Sequence, residues 1–372
     1  MTKAAELAKM GEVLTNSQIG GRRNIVINGA MQVAQRATSA TGHGENDDDY
    51  FTVDRFRLGF GGSTAGRLTM TQETITDLPG FANAIKLACT TVDTSIAATE
   101  FGRLSTRFEG QDLQQFKKGT SEAESITISF YVKGNANATY ALDLFDDDNT
   151  RQVSQLFSVT SSWTRVVKTF APDTTGAFDD NNARSLQMNI FFHAGSNLTS
   201  GTLNQTFNSN TNANRAVGIS SFFDSTDRTF FITGVQMEVG SQATPFEHRS
   251  FGEELELCKR YYHKMDAVDG ATTSFAVGQA YTTDDAWFPT PLTPEMRTTP
   301  TLDHGTLSQI QLTDTDLSGE AIGTLAIHTG SSNRRNVALN ATNITGDVLT
   351  AGDATVLFAD NVAAYLAFIA EL

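Results

Sequence analysis

Residues 233–249 read TGVQMEVGSQATPFEHR. Val235, Met237 and Val239 alternate with Gln236 and Glu238, the period of a strand with one buried face. Gly240 and Ser241 end that strand. Pro245 has no amide donor and biases Thr244 toward extended backbone, so the chain leaves without regular structure. Phe246 is placed to pin the exit onto the core just completed. Glu247, His248 and Arg249 would pass for catalytic residues in isolation. Between a finished strand and a capped helix, they read instead as polar contacts that fix a junction. The stretch is therefore a seam between modules, with Pro245, Phe246, Leu255 and Tyr262 as the residues of a domain or subunit contact.

Upstream of the seam, short alternating segments recur at the spacing of an all-β domain. They are 67–73, 84–90, 101–109, 125–134, 139–146, 154–160, 164–170, 185–195 and 229–240, preceded by 24–36, broken at Asn28-Gly29, and 50–60. The polar stretch 196–221 is predicted to be a long loop over the sandwich rim, a place where function often sits. Downstream, SFGEELELCKRYYHKM (250–265) has an S-x-x-E capping box, acidic first turns and basic last turns, which predicts a helix. After Gly270 the strand pattern returns: 272–281, 286–292, 307–313, 323–329, 335–342, 354–360 and 363–372.

The expected organisation is mainly β. Residues 1–23 form a short anchor helix and hinge, 24–249 a large jelly-roll sandwich, 250–266 a linking helix and 267–372 a smaller β-sandwich. The anchor stripe is Leu7, Met10 and Leu14, too short to form a core alone.

The 372 residues carry a formal net charge of -15, which disfavours a nucleic-acid binder, since phosphate neutralisation needs a basic face. No apolar run is long enough to span a membrane, and the start of the chain lacks an apolar signal core. Cys89 and Cys258 are far apart with no metal or disulfide spacing, so both read as buried free thiols of a protein made in a reducing cytoplasm. The acidic runs Asp47–Asp49, Asp146–Asp148, Asp179–Asp180 and Asp284–Asp285 read as solvated turns. No cofactor is implied, although such oxygen-rich loops leave a structural calcium ion open. The six histidines have no metalloprotease context, and neither a nucleophile elbow nor a phosphate loop occurs.

The blocks NIVINGAMQVAQR, YFTVDRF, GVQMEVGSQATPFEHR, ELCKRYYHK, PEMRTTPTL and AYLAFIAEL resemble, in this order, those of virion appendage proteins of tailed bacteriophages. These are tail fibres and related host-contact proteins whose first domain is like the jelly roll of carbohydrate-binding modules. The resemblance implies a non-enzymatic virion protein that contacts the host surface, at the tail rather than the capsid. It also implies a homotrimer, joined to another virion protein through its N-terminal segment and engaging a host glycan or receptor. A capsid-decorating or head-fibre protein is the alternative. A polysaccharide depolymerase ranks lower, because no β-helix repeat is visible. For a glycan, which stacks its C–H faces on rings, the candidate residues are Trp163, His193 and Phe207.

Overall fold

A computed structural model describes Lys3 and residues 23–267, 270, 272–313, 319–346 and 348–372. The anchor candidates Leu7, Met10 and Leu14 lie outside the described residues. The chain divides into two compact units. One runs to Glu254 and takes in Leu372, and the other is Leu255–Glu371.

The described residues of the first unit contain thirteen strands. In chain order these are β1 (Ser39–Glu45), β2 (Asp48–Asp49), β3 (Arg57–Gly61), β4 (Thr64–Thr74), β5 (Asn83–Thr91), β6 (Phe101–Glu109) and β7 (Ile126–Gly134). There follow β8 (Ala138–Asp146), β9 (Arg151–Val159), β10 (Thr164–Phe170), β11 (Arg184–Ala194), β12 (Asn208–Ser209) and β13 (Thr229–Val239). They make a six-stranded sheet, β1-β4-β5-β13-β7-β10, and a seven-stranded sheet, β12-β9-β8-β11-β6-β3-β2. Every pairing is antiparallel, and the chain passes repeatedly between the two layers, a jelly-roll sandwich.

Alternation dictates the core. Leu68, Met70, Ile85, Leu87, Ile128, Phe130 and Val132 on one sheet meet Leu104, Tyr140, Leu142, Leu144, Met188, Ile190 and Phe192 on the other. The abundance of Phe is spent here: Phe60, Phe192, Phe222 and Phe223 contact one another in tilted and edge-on pairs. In β13 the register slips between Thr233 and Gln236, where Gly234 has φ +63. A Cβ on Gly234 would come within 2.8 Å of the Phe81 ring, so only glycine fits this bulge.

The segment 24–36, expected as a broken strand, forms no strand. Its backbone pairs at isolated points with distant backbone, as Ile25 does with Met237 and Gly29 with Val235, and otherwise with side chains. The Asn24 amide group donates to the Val235 carbonyl and accepts from the Met237 amide. Asn28 holds Val33 on both sides, and Glu254 accepts from the Asn28 amide. Of 50–60, only Arg57–Gly61 is strand. Phe246 packs on Phe81 at 5.1 Å, while Glu247 accepts from the Arg23 and Asn24 amides and Arg249 donates to the Asn24 and Val26 carbonyls. These exit residues thus secure the edge of their own sandwich.

The loop 196–221 does not stay at the rim. It opens with a helical turn, α1 (Ser196–Thr199), and packs Leu198, Ala216 and Ile219 against Ala141 and Phe191 on the outer face of the seven-stranded sheet.

The helix after the seam, α2 (Phe251–Lys259), starts as predicted, with the Ser250 hydroxyl accepting from the Glu253 amide. It ends earlier than its apolar stripe suggests, because Tyr262–Asp266 becomes a strand, β14. The remaining strands are β15 (Ser274–Ala280), β16 (Ala286–Pro291), β17 (Thr301–His304), β18 (Ile310–Thr313), β19 (Gly319–Ile327), β20 (Asn336–Ile344), β21 (Ala354–Ala359) and β22 (Tyr365–Ile369). Six of them close into a barrel, β15-β16-β20-β19-β18-β21, rather than the expected two-layer sandwich. β14 joins β22 and β17 in a separate sheet, with Tyr262 opposite Ile369. Cys89 and Cys258 are both buried, and no disulfide joins them.

One acidic run is not a solvated turn. Asp146 is fully buried, and the Lys118 ammonium bridges it at 2.6 Å and Asp173 at 3.2 Å. Arg151 adds a second cation to Asp173 at 2.8 Å. Burial alone would raise Asp173, but Arg151 and Lys118 outweigh it and hold the carboxyl below its ordinary value of 3.8. The depressed value means that this stabilisation is present above about pH 4 and is lost as pH falls. Lys118→Met, which leaves the buried Asp146 without a cation and Asp173 with Arg151 alone, is expected to cost about 3–5 kcal/mol in urea unfolding at pH 7. In the wild type, stability should fall between pH 5 and pH 3, less so in Asp173→Asn; an equal fall in both would contradict the assignment.

Candidate functional site

A sandwich sheet normally leaves its outer face to solvent. On the seven-stranded sheet that face is instead polar and largely covered. Side chains alternate outward along β6 (Phe101, Arg103, Ser105, Arg107), β8 (Ala141, Asp143, Phe145) and β11 (Gln187, Asn189, Phe191), because their neighbours fill the core. Asp143 is fully buried. Arg215, from the covering loop, donates to both its oxygens, at 2.6 and 3.2 Å, and Ser154 and Asn189 donate at 3.0 Å each. The Arg215 guanidinium lies over Phe145 at 4.7 Å and Phe191 at 5.3 Å.

Beside this pair is a recess of about 240 Å³ lined by Thr99, Phe101, Arg103, Phe191 and Arg215, with Asn197, Leu198 and Asn212 from the loop. Its size lies a little below the range of about 300–1,000 Å³ for drug-sized ligand pockets, which suits a small ring. Phe101 is half-buried, and the Arg103 guanidinium sits over its ring at 5.4 Å. Arg103 is the unusual member. Among the described residues its guanidinium has no hydrogen bond or ion pair, and its Nε is buried without a partner. Burial, then the cations of Arg215 and Arg107, pull it down to about 10, so it stays charged at neutral pH.

Its arginine neighbours are all engaged: Arg57 with Asp48 at 2.9 Å, Arg184 with Asp147 at 2.8 Å, Arg107 with the Leu372 carbonyl. The carboxylates of this face are engaged too. Asp147 accepts from Arg184 and Gln187, although burial raises its carboxyl above the ordinary value. The recess thus combines an aromatic wall, exposed amides at Asn197 and Asn212, and one cation with unused donors.

The three ring residues expected from sequence do not meet here. Trp163 is half-buried on the six-stranded sheet side, its indole donating to Asp77 at 2.9 Å and its ring near Phe231 and Lys133. Phe207 is half-buried against the core rather than exposed, under Lys118. His193 is completely buried, which excludes direct contact with a sugar. A β11 register slip between Phe191 and His193 turns its ring inward onto Phe223 at 5.1 Å. The sequence reading passed over Phe101 and Arg103. The signal was the polar alternation of FGRLSTRFE within a strand that is central to its sheet. In the barrel, Tyr281 is 67% exposed and stacks on Trp287 at 5.5 Å, a surface aromatic pair also passed over.

No family model matches the chain, and no curated protein matches it. Among solved structures, the enzymatically active domain of tailspike protein 4 of bacteriophage CBA120 aligns over 58% of this chain at 12% identity and TM-score 0.31. That alignment spans only 21% of the tailspike chain. The family 11 carbohydrate-binding module of the Clostridium thermocellum cellulase Lic26A-Cel5E aligns over 55% of this chain and 95% of its own, at 11% identity and TM-score 0.28. The xylan-binding domain CBM22-1 of Paenibacillus barcinonensis Xyn10C covers 56% of this chain and 99% of its own, at 11% and 0.27. Likeness this distant carries no ligand or activity to this chain.

The two recess arginines should separate in a stability assay. Arg215→Met strands the buried Asp143 carboxylate and is expected to lose about 3–5 kcal/mol. Arg103→Met removes a cation whose desolvation outweighs the longer-range pull of Asp48 and Asp143, and should leave the urea midpoint unchanged or raised. Equal destabilisation by both would show that Arg103 has a structural partner.

Proposed function

We propose that the first unit is a carbohydrate-binding module that holds an acidic sugar in the recess on its seven-stranded sheet, and that the protein serves a tailed-phage appendage at the host surface. The observation that carries the ligand class is the Arg103 guanidinium, half-buried beside Phe101, with its Nε buried and without a partner. A ligand carboxylate or sulfate would supply the fork-shaped acceptor that the guanidinium lacks. Phe101 would take a C–H face of the ring, and the Asn197 and Asn212 amides would meet hydroxyls. The role is binding rather than cleavage. Glycoside hydrolysis uses two carboxyl groups flanking the bond, whereas Asp143 and Asp147 beside this recess are held by arginines and amides.

The phage assignment, with its homotrimeric state and N-terminal attachment, rests on the ordered sequence blocks. It is the reading under which a glycan-binding sandwich has an occasion to meet a bacterial surface. A head-fibre location uses the same modules and differs only in where antibody labelling falls on intact particles.

The test is a glycan array followed by calorimetry on the hits. Binding of uronate-, sialate- or sulfate-bearing glycans is expected. The affinity should drop about tenfold or more in Arg103→Met, roughly the contribution of one charge-assisted pair, and also in Phe101→Ala. Preference for neutral glycans, or undiminished binding by Arg103→Met, would overturn the acidic-sugar reading. Release of reducing sugar would overturn the non-enzymatic one.

A further inference from the structure

The ring that the bulge in β11 turns inward meets two acids. Asp93 and Glu100 begin and end the connection from β5 to β6, and with His193 they form a cluster within which one ligand atom from each lies within 4.8 Å of the others. His193 Nε2 is 3.8 Å from Asp93 Oδ2 and 3.9 Å from Glu100 Oε2. All three residues are buried, His193 completely. Each side chain is already anchored. His193 Nδ1 is 2.9 Å from the Ser221 hydroxyl, which the Phe223 amide also contacts at 3.1 Å. Asp93 accepts from the Ala65 and Ser95 amides, and Glu100 from the Ala97 amide at 2.8 Å.

The atom left over is His193 Nε2, and the oxygens nearest it, Asp93 Oδ2 and Glu100 Oε2, each also accept from one backbone amide and keep a second lone pair. His193 Nε2 is buried and has no hydrogen-bond partner. Its distances to the two carboxylates exceed hydrogen-bond length. They fall among the separations of about 3.4–4.2 Å that two donors show when both sit about 2.1 Å from one ion. An orphaned imidazole nitrogen and two acids enclosed without a cation are costly to bury. No Lys or Arg is ion-paired with the trio among the described residues.

We infer that Asp93, Glu100 and His193 form a buried site for a divalent transition-metal ion, of the zinc or manganese type, at the base of the β5–β6 connection. With the Nδ1 proton given to Ser221, Nε2 presents the lone pair an ion requires, and Ser221 orients the ring in the way that outer contacts orient metal-bound histidines. An imidazole with two carboxylates suits zinc or manganese; calcium prefers six to eight oxygens, which this trio does not offer. The ion would fasten both ends of a connection whose middle residues, Thr94 to Thr99, are exposed. Its role is structural.

The purified full chain is stripped with EDTA, dialysed separately against Zn2+, Mn2+ and Ca2+, freed of loose ion and analysed for metal by mass spectrometry. About one Zn2+ or Mn2+ per chain is expected in the wild type, and none in His193→Gln. Adding the retained ion at about a hundredfold excess over its dissociation constant should raise the melting temperature by roughly 5–10 °C. The same ion should leave His193→Gln unmoved. Should His193→Gln fail to fold, Glu100→Gln takes its place. The inference is overturned if the wild type retains no ion and melts identically with and without EDTA, as a proton shared by the two acids would produce. Retention of calcium alone overturns it as well, as does equal retention by the variants.

Discussion

The ion pair between Arg215 and Asp143 is the constraint on which the outer face of the larger sandwich depends. Asp143 lies on a central strand, fully buried, where an uncompensated carboxylate would cost several kcal/mol. Four donor contacts from three side chains meet it, two from a single guanidinium carried by the 196–221 loop. The loop can cover a polar sheet only because it brings this cation, and the pair lets it bury Ala216 and Leu198 against Phe191. The recess exists at the margin of that cover. Phe191 and Arg215 form part of its lining, and both are fixed by the same contact.

Much of the fold was legible because alternation is a strong signal wherever one strand face is buried. The segments 84–90, 101–109 and 164–170 each fall within an observed strand. The reading missed where contacts distant in sequence decide the local structure. Residues 24–36 look like a strand broken by Asn28-Gly29, yet Asn24, Glu254 and Arg249 take over the backbone groups that a ladder would have used. Tyr262 continues the helical stripe of 250–265, but pairing with Ile369 wins. Whether the later strands stack as two layers or close into a barrel depends on the pairing of β15 with β21, far along the chain, and no local pattern encodes it.

The site was harder to read for a related reason. His193 sits in SLQMNIFFHAG, where strict alternation would set it on the opposite face from Phe192. The register slip just before it removes that inference and delivers the ring to Asp93 and Glu100. Neither acid stands out in TVDTSIAATE, since a seven-residue separation in a loop matches no familiar ligand spacing. Phe101 and Arg103 went unnoticed for the opposite reason: they alternate perfectly. Alternation says which residues leave the core, but it does not say whether the face they reach is open water or a covered recess.

The charge of the chain illustrates the same gap between sum and place. A net charge of -15 argues against anionic partners only if it is spread evenly. On the outer face of the seven-stranded sheet the arginines come close enough that Arg215 and Arg107 depress Arg103, and Arg57 and Arg184 depress Arg107. Each of the others has an anion or a carbonyl to offset that repulsion. Arg103 forms no such pair, and Asp48 and Asp143 act on it only at longer range, so folding gains less by keeping it there. An acidic surface elsewhere sharpens the selection, because an anionic chain is repelled from most of the molecule and attracted only where the guanidinium is unshared. A cation that folding does not require, in a recess that folding builds for other reasons, is what the proposed acidic ligand would complete.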